Sequence, residues 1–428
     1  MIYDPTTKKC KVLFMEAGSG SGGSSKYLSY LLSHIDREKF EPRVAFYFQT
    51  DGPDARRIKE LGVKTYFISK RREPVYSSIG WLYGRGNGRR TDKLRIFTRF
   101  TLRLLLKELP FCFSVLRLIR KEDIDLVVLN SVPEDHISSL LAVKLAGIPC
   151  VCRWAGVVEG AGRKITRILT PWVDRFIAIS EAAEVNESKY LPRSNRVVRI
   201  YGGIDLNRFN RSGNIDEIRK QFGIQDHEKI VGYVSRITEG KGHLEFIDAA
   251  RMVLDEYPEA AFLIVGDEAG GNGQLTAKLK ERTVSLGMSD RIIFAGWRDD
   301  IPDILSALDI FVHYPTSPEG LGIANLEAMA SGKPVIVSRA GGLPEAVING
   351  VTGIVLDPGD ACQLSRAILK LLKDEDLRNA MGKSARRHAE EMFDMQKNIK
   401  KMEEVFLGAS IRGKNKIEPE MRVYANVK

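Results

Sequence analysis

The chain alternates short β-branched runs with amphipathic segments, and it does so twice. Residues 12–15, 43–48, 65–68, 126–129, 175–179 and 197–200 read as buried strands. Helical patterns fall between several of them, as at 24–33 and 138–145. The rhythm then restarts. Strands are expected at 230–234, 261–265, 291–294, 310–313, 334–337 and 353–355, with helices at 244–257, 273–286, 301–307 and 323–331. Alternation of this kind builds parallel sheets joined by helical crossovers. The chain is therefore α/β, with two successive doubly wound units joined near residues 201–225. Its 428 residues exceed what one ordinary core uses and suit two. No 20–50-residue repeat is visible, which excludes a solenoid.

Composition narrows the class further. The longest stretches free of Asp, Glu, Lys and Arg are 11 residues, 74–84 and 346–356. A membrane-spanning helix needs about 20 mostly apolar residues, so none is expected. Residues 1–15 lack the apolar core of a signal peptide, and export is not expected. The five cysteines, Cys10, Cys112, Cys150, Cys152 and Cys362, are scattered and form no CxxC pair. Neither a disulfide framework nor a zinc site follows, which points to a reducing compartment. The net charge of +10 is uneven: residues 1–120 hold 24 Lys/Arg against 11 Asp/Glu, while the rest is slightly acidic. Segment 70–107 alone carries 11 Lys/Arg and two acids, with Trp81, Tyr83, Phe97 and Phe100 interleaved. Arg95, Arg99, Arg103 and Lys107 recur every four residues and form a basic stripe on one helical face. Such a helix suits an anionic membrane surface; an ordinary domain helix with a solvated basic face is the alternative.

Three segments carry candidate chemistry. Residues 313–345, HYPTSPEGLGIANLEAMASGKPVIVSRAGGLPE, read as strand, loop and helix. Glu319 sits in the loop, followed by Gly320, Leu321, Gly322 and Ile323 where the helix begins. Glu327 lies eight residues after Glu319 on that helix. Free backbone N–H groups at a helix start can hold a diphosphate, and two carboxylates nearby can accept hydroxyls on either side. A Gly-rich turn with solvated Glu is the plainer alternative. In residues 232–243, GYVSRITEGKGH, a strand ends at Ser235 and the next loop carries Arg236 and Lys241. Cations at a strand's C-terminal end suit phosphate neutralisation. Residues 18–25, GSGSGGSS, follow the first strand. They could cradle phosphate or serve as a flexible turn, and they match neither dinucleotide nor P-loop spacing.

Order and spacing together resemble the family 4 retaining glycosyltransferases of the GT-B fold, over nearly all of residues 12–406. The match is closer in the C-terminal half. There the E-x7-E segment, its GG-x-PE sequel and the RITEGKG segment stand in family order. The resemblance implies two Rossmann-like domains facing across a cleft. The N-terminal acceptor domain would be 1–204 with the basic insertion 70–107, and the nucleotide-sugar domain 205–393. A helix in 394–428 would pack back on the N-terminal domain ahead of a polar tail. The resemblance assigns Arg236 and Lys241 to the donor diphosphate, with Ser235 just before them. It assigns backbone amides of Gly320, Leu321, Gly322 and Ile323 to the phosphates, Glu319 to the transferred sugar and Glu327 to the ribose. Gly22 and Gly23 would lie across the cleft, and the base would pack near Gly296, Trp297 and Arg298.

The sequence departs from the family on the acceptor side. Asn130 stands where many members have His, and Arg153, Trp154 and Ala155 stand near where another His is common. His136, at a helix start, is the nearest catalytic candidate, with Glu159 and Arg153 as alternatives. The implied reaction is hexosyl transfer with retention, from a nucleotide sugar, UDP favoured, to a lipid-linked or lipopolysaccharide-type acceptor. The diphosphate would take the acceptor's proton. No cofactor is expected and no metal is required, because Arg236 and Lys241 can neutralise the leaving group. A cytoplasmic enzyme, peripheral on the inner membrane face, with no nucleic-acid partner is expected. A nucleotide-sugar epimerase of the same fold and a non-catalytic nucleotide-sugar-binding scaffold are the competing readings.

Overall fold

Two sheets form the frame of the computed structural model, which describes residues 8–17, 23–69, 104–154, 162–188, 196–209, 214–268 and 273–412. The first sheet holds β1 (Cys10–Glu16), β2 (Phe40–Phe46), β3 (Lys64–Phe67), β4 (Leu126–Leu129), β5 (Cys150–Trp154), β6 (Arg175–Ala178) and β7 (Val197–Arg199). Their order is β3-β2-β1-β4-β5-β6-β7. The second sheet holds β8 (Lys229–Val234), β9 (Ala260–Val265), β10 (Ile292–Gly296), β11 (Ile310–His313), β12 (Val335–Ser338) and β13 (Gly353–Leu356). Their order is β10-β9-β8-β11-β12-β13. Every neighbouring pair is parallel. Parallel neighbours need crossovers, and helices on both faces explain why β4, β9 and β12 are buried at every position.

Helix ends follow local chemistry. Asn214, Asp360 and Asp374 accept backbone N–H bonds from the residue three further on, which satisfies donors that have no partner within the helix. Pro110 near the start of the helix Leu109–Lys121 cannot donate to the preceding turn. That turn, Leu104–Glu108, is wound as a π-helix. Of the basic segment expected at 70–107, residues 70–103 lie outside the described residues.

The chain leaves the first sheet through Ile204 and returns to it after the second. Ile204 N–H donates to Phe393 O at 2.7 Å, and Met395 N–H donates to Ile204 O at 3.1 Å. The last helix, Met395–Arg412, then lies on the first sheet. Phe406 meets Phe14 and Phe40 edge-on, and Glu403 Oε1 accepts from Asp36 N–H at 2.7 Å. One apolar cluster runs from Phe14 and Phe40 through Ile204 and Phe209 to Leu321, Leu326 and Phe406.

Candidate functional site

In a sheet ordered like the second, the chain leaves the two central strands in opposite directions. A crevice opens at their C-terminal ends. Those strands are β8 and β11. The loop after β8 carries Ser235, Arg236 and Lys241, and the loop after β11 carries Glu319 to Gly322. The fold therefore brings together two motifs that lie about 80 residues apart in sequence.

Tight backbone packing holds the two loops together. Gly240 O accepts from Thr316 N–H at 2.9 Å and from Ser317 N–H at 3.1 Å. Gly242 has φ +79°, and a Cβ there would stand 1.8 Å from Tyr314 O. Only glycine fits that approach. The buried Tyr233 phenol accepts from Tyr314 N–H at 2.9 Å and donates to Lys241 O, which fastens the lysine's backbone. Lys241 Nζ forms an ion pair with Glu319. Burial, then Arg236, push the Lys241 ammonium down to about 8. Arg236 is exposed and holds no ion pair among the described residues. Ser235 Oγ lies 3.1 Å from Nε2 of His243, whose pKa burial and Lys241 lower to about 4.

Gly322 is the N-cap of the helix Ile323–Ala330, so its first amides open into the crevice end of the sheet. A Cβ on Gly341 would stand 2.0 Å from Glu319 O, and Gly342 N–H donates to that oxygen at 2.9 Å. The GG pair thus seats the Glu319 loop. Glu345 of the same sequel reaches the first domain and accepts from Glu181 N–H and Ala182 N–H at the start of the helix Glu181–Ser188. Trp297 is exposed after β10. Arg298 turns onto Asp300, at 2.8 Å, and Gln221, at 2.9 Å. Asp299 between them is paired with Arg57 of the first domain.

The first domain supplies the facing wall. Gly23 begins the helix Gly23–His34, and a Cβ there would meet Ile323 Cδ1 at 3.9 Å, so the starts of two helices confront each other. Leu321 is buried toward Gly202 of the linker. Gly22 and Glu159 lie outside the described residues. Glu327 is 1% exposed and bonded to Lys26 and Tyr30.

His136 requires a correction. It has no exposed surface, its Nδ1 lies 3.2 Å from Tyr47 Oη, and burial pushes its pKa down to about 3. It packs in the core around Tyr47, Ser139 and Phe111, away from the crevice of the second sheet. Arg153 is also buried, stacked 3.7 Å from the Tyr27 ring centroid. Its NH1 donates to Asn130 Oδ1 at 2.8 Å, while Asn130 Nδ2 donates to Glu16 and to Ser24 O at 3.0 Å. A carboxamide can donate twice and still accept, which an imidazole cannot, so Asn130 suits this junction of three strand ends with the first helix. Glu16, Lys26, Tyr30 and His243 carry no local sequence signal, because only the fold reveals their neighbours.

Two family models match in chain order. The one described as Glycosyltransferase Family 4 takes residues 21–208, and the one described as Glycosyl transferases group 1 takes residues 214–388. This chain belongs to the family 4 glycosyltransferases. The glycosyltransferase is 28% identical, over 318 residues, to an Escherichia coli enzyme, UDP-Gal:alpha-D-GlcNAc-diphosphoundecaprenol alpha-1,3-galactosyltransferase. That match covers 71% of this chain and 80% of the relative. It is 25% identical over 307 residues to the N-acetyl-alpha-D-glucosaminyl L-malate synthase of Bacillus anthracis, covering 70% of this chain and 78% of that one. HepE of Anabaena, solved with UDP and glucose, matches with a TM-score of 0.78 and 23% identity, over 93% of this chain and 100% of its own. That likeness shows the GT-B fold.

Proposed function

We propose that this hexosyltransferase moves a sugar from a UDP-sugar to a lipid-linked or lipopolysaccharide-type acceptor, with retention at the anomeric carbon. The observation that carries the reading is the meeting of Arg236, Lys241 and Glu319 with the start of the helix Ile323–Ala330, at the crevice of the second sheet. Two cations and a helix start suit a diphosphate, and a carboxylate beside them suits sugar hydroxyls. The printed name of the Escherichia coli relative, with its UDP-Gal and diphosphoundecaprenol, supports this donor and acceptor class.

In the proposed reaction the acceptor hydroxyl oxygen bonds to the anomeric carbon on the face the diphosphate leaves. The bond from that carbon to the phosphate oxygen breaks, and the departing phosphate takes the hydroxyl proton. Arg236, Lys241 and the amides from Gly320 to Ile323 stabilise the charge that develops on the diphosphate. Glu319 orients the sugar, and Glu327 the ribose. Two cations supply the neutralisation a metal would otherwise provide, so turnover should withstand a chelator. No helix among the described residues is long and apolar enough to cross a membrane. Docking through the basic segment 70–107 on an anionic inner leaflet is the proposed route to the acceptor.

The test is transfer from UDP-galactose and UDP-glucose to a GlcNAc-diphospho-polyprenol, with the new linkage read by proton NMR. An α-linked product is expected, with equal yield in EDTA. A β-linked product contradicts retention, and no transfer from either donor contradicts the donor assignment.

A further inference from the structure

Glu327 is held unevenly. Its Oε1 takes both an ion pair from Lys26 Nζ and a hydrogen bond from Tyr30 Oη at 2.9 Å. Its Oε2 is buried and has no partner. Lys26 and Tyr30 are four residues apart on the helix Gly23–His34 and so share a face. Tyr30 Oη in turn accepts from Arg208 NH1 at 2.9 Å, and Arg208 lies in the linker between the domains. Burial and the adjacent Glu327 raise the Tyr30 phenol well above its usual range, so it remains a donor. Both direct partners of Glu327, Lys26 and Tyr30, therefore lie in the first domain.

An unpartnered buried carboxylate oxygen is costly, so its place in the fold needs a reason. Other unpartnered atoms stand on or beside the same helix. Asn325 Nδ2 and Oδ1 and His313 Nδ1 are also buried without partners, and His313 packs against Gly322. We propose that Lys26, Tyr30 and Arg208 are positioning residues for the donor's ribose: they hold one oxygen of Glu327 across the cleft and leave the other for the ribose hydroxyls. The assignment rests on the reading of this crevice as a nucleoside-diphosphate site. It makes ribose recognition depend on the first domain, although the nucleotide itself would rest on the second. Donor binding and domain approach are then coupled through one carboxylate.

The experiment is calorimetric titration of the full-length protein with UDP and with 2′,3′-dideoxy-UDP. The proteins compared are wild type, Tyr30→Phe, Lys26→Met and Lys26→Arg. A hydrogen bond to a buried carboxylate predicts that wild type prefers UDP by about ten-fold or more. Tyr30→Phe and Lys26→Met should each cut that preference about five-fold and leave dideoxy-UDP affinity within about two-fold, with Lys26→Arg retaining most of the preference. A full preference in both Tyr30→Phe and Lys26→Met overturns the positioning role and leaves the nucleotide site standing. Equal loss for both ligands also overturns it, because a merely structural defect does not distinguish them. A wild type that binds UDP and dideoxy-UDP alike removes Glu327 from ribose recognition altogether.

Discussion

Burial and Arg236 favour the neutral amine at Lys241, while the Glu319 carboxylate against it favours the ammonium. Its pKa is pushed down from the ordinary 10.5 to about 8. A diphosphate needs the charged form. Below about pH 8 the free enzyme carries that charge, and above it the charge is lost, so donor kcat/KM should fall about ten-fold per unit on the alkaline side. A pH profile of wild type against Lys241→Arg checks this, because the guanidinium stays charged throughout. The arginine variant should lack the fall; a wild type flat to about pH 10 contradicts the role. The meeting of the Lys241 loop with the Glu319 loop was legible in the sequence because both carry the glycines that such close packing demands. His136 was misread because a histidine at a helix start shows nothing of its burial. Lys26 and Tyr30 were invisible because their partner lies some 300 residues away in sequence.

At the scale of elements, Glu345 joins the two domains through a helix end. Its carboxylate accepts two amide bonds at the start of the helix Glu181–Ser188. A negative charge there is favoured by both the free amides and the helix dipole. Glu345→Gln should cost about 0.5–2 kcal/mol, read as a lowered denaturant midpoint; an unchanged midpoint contradicts the capping role. Most strand positions were legible because runs such as Leu126–Leu129 and Val335–Ser338 are buried and rich in β-branched residues; β5 was missed because Val151 is its one β-branched residue. Their limits were less so. The strand expected at 43–48 begins instead at Phe40 and contains Pro42. Pro42 pairs with Val12 of β1, whereas pairing with β3 starts only at Arg43, so its missing N–H falls before the strand becomes central.

At the scale of the whole molecule, the apolar cluster crosses from one domain to the other, and the last helix returns to cover the first sheet. The start of the first helix is thereby set against the crevice of the second sheet, with Gly23 against Ile323 and Lys26 against Glu327. The alternation of strands and helices disclosed two doubly wound units. The contacts that join them come from segments distant in sequence, and no local pattern encodes those. The proposed function rests on the second domain's crevice binding a uridine diphosphate sugar through Lys241. The most direct test is the thermal unfolding of wild type and Lys241→Ala with UDP, GDP and ADP. UDP at about 100 times its dissociation constant should stabilise wild type by about 2.7 kcal/mol. A shift with UDP that is lost in Lys241→Ala is expected. A shift only with GDP or ADP, or an equal UDP shift in both proteins, would contradict it.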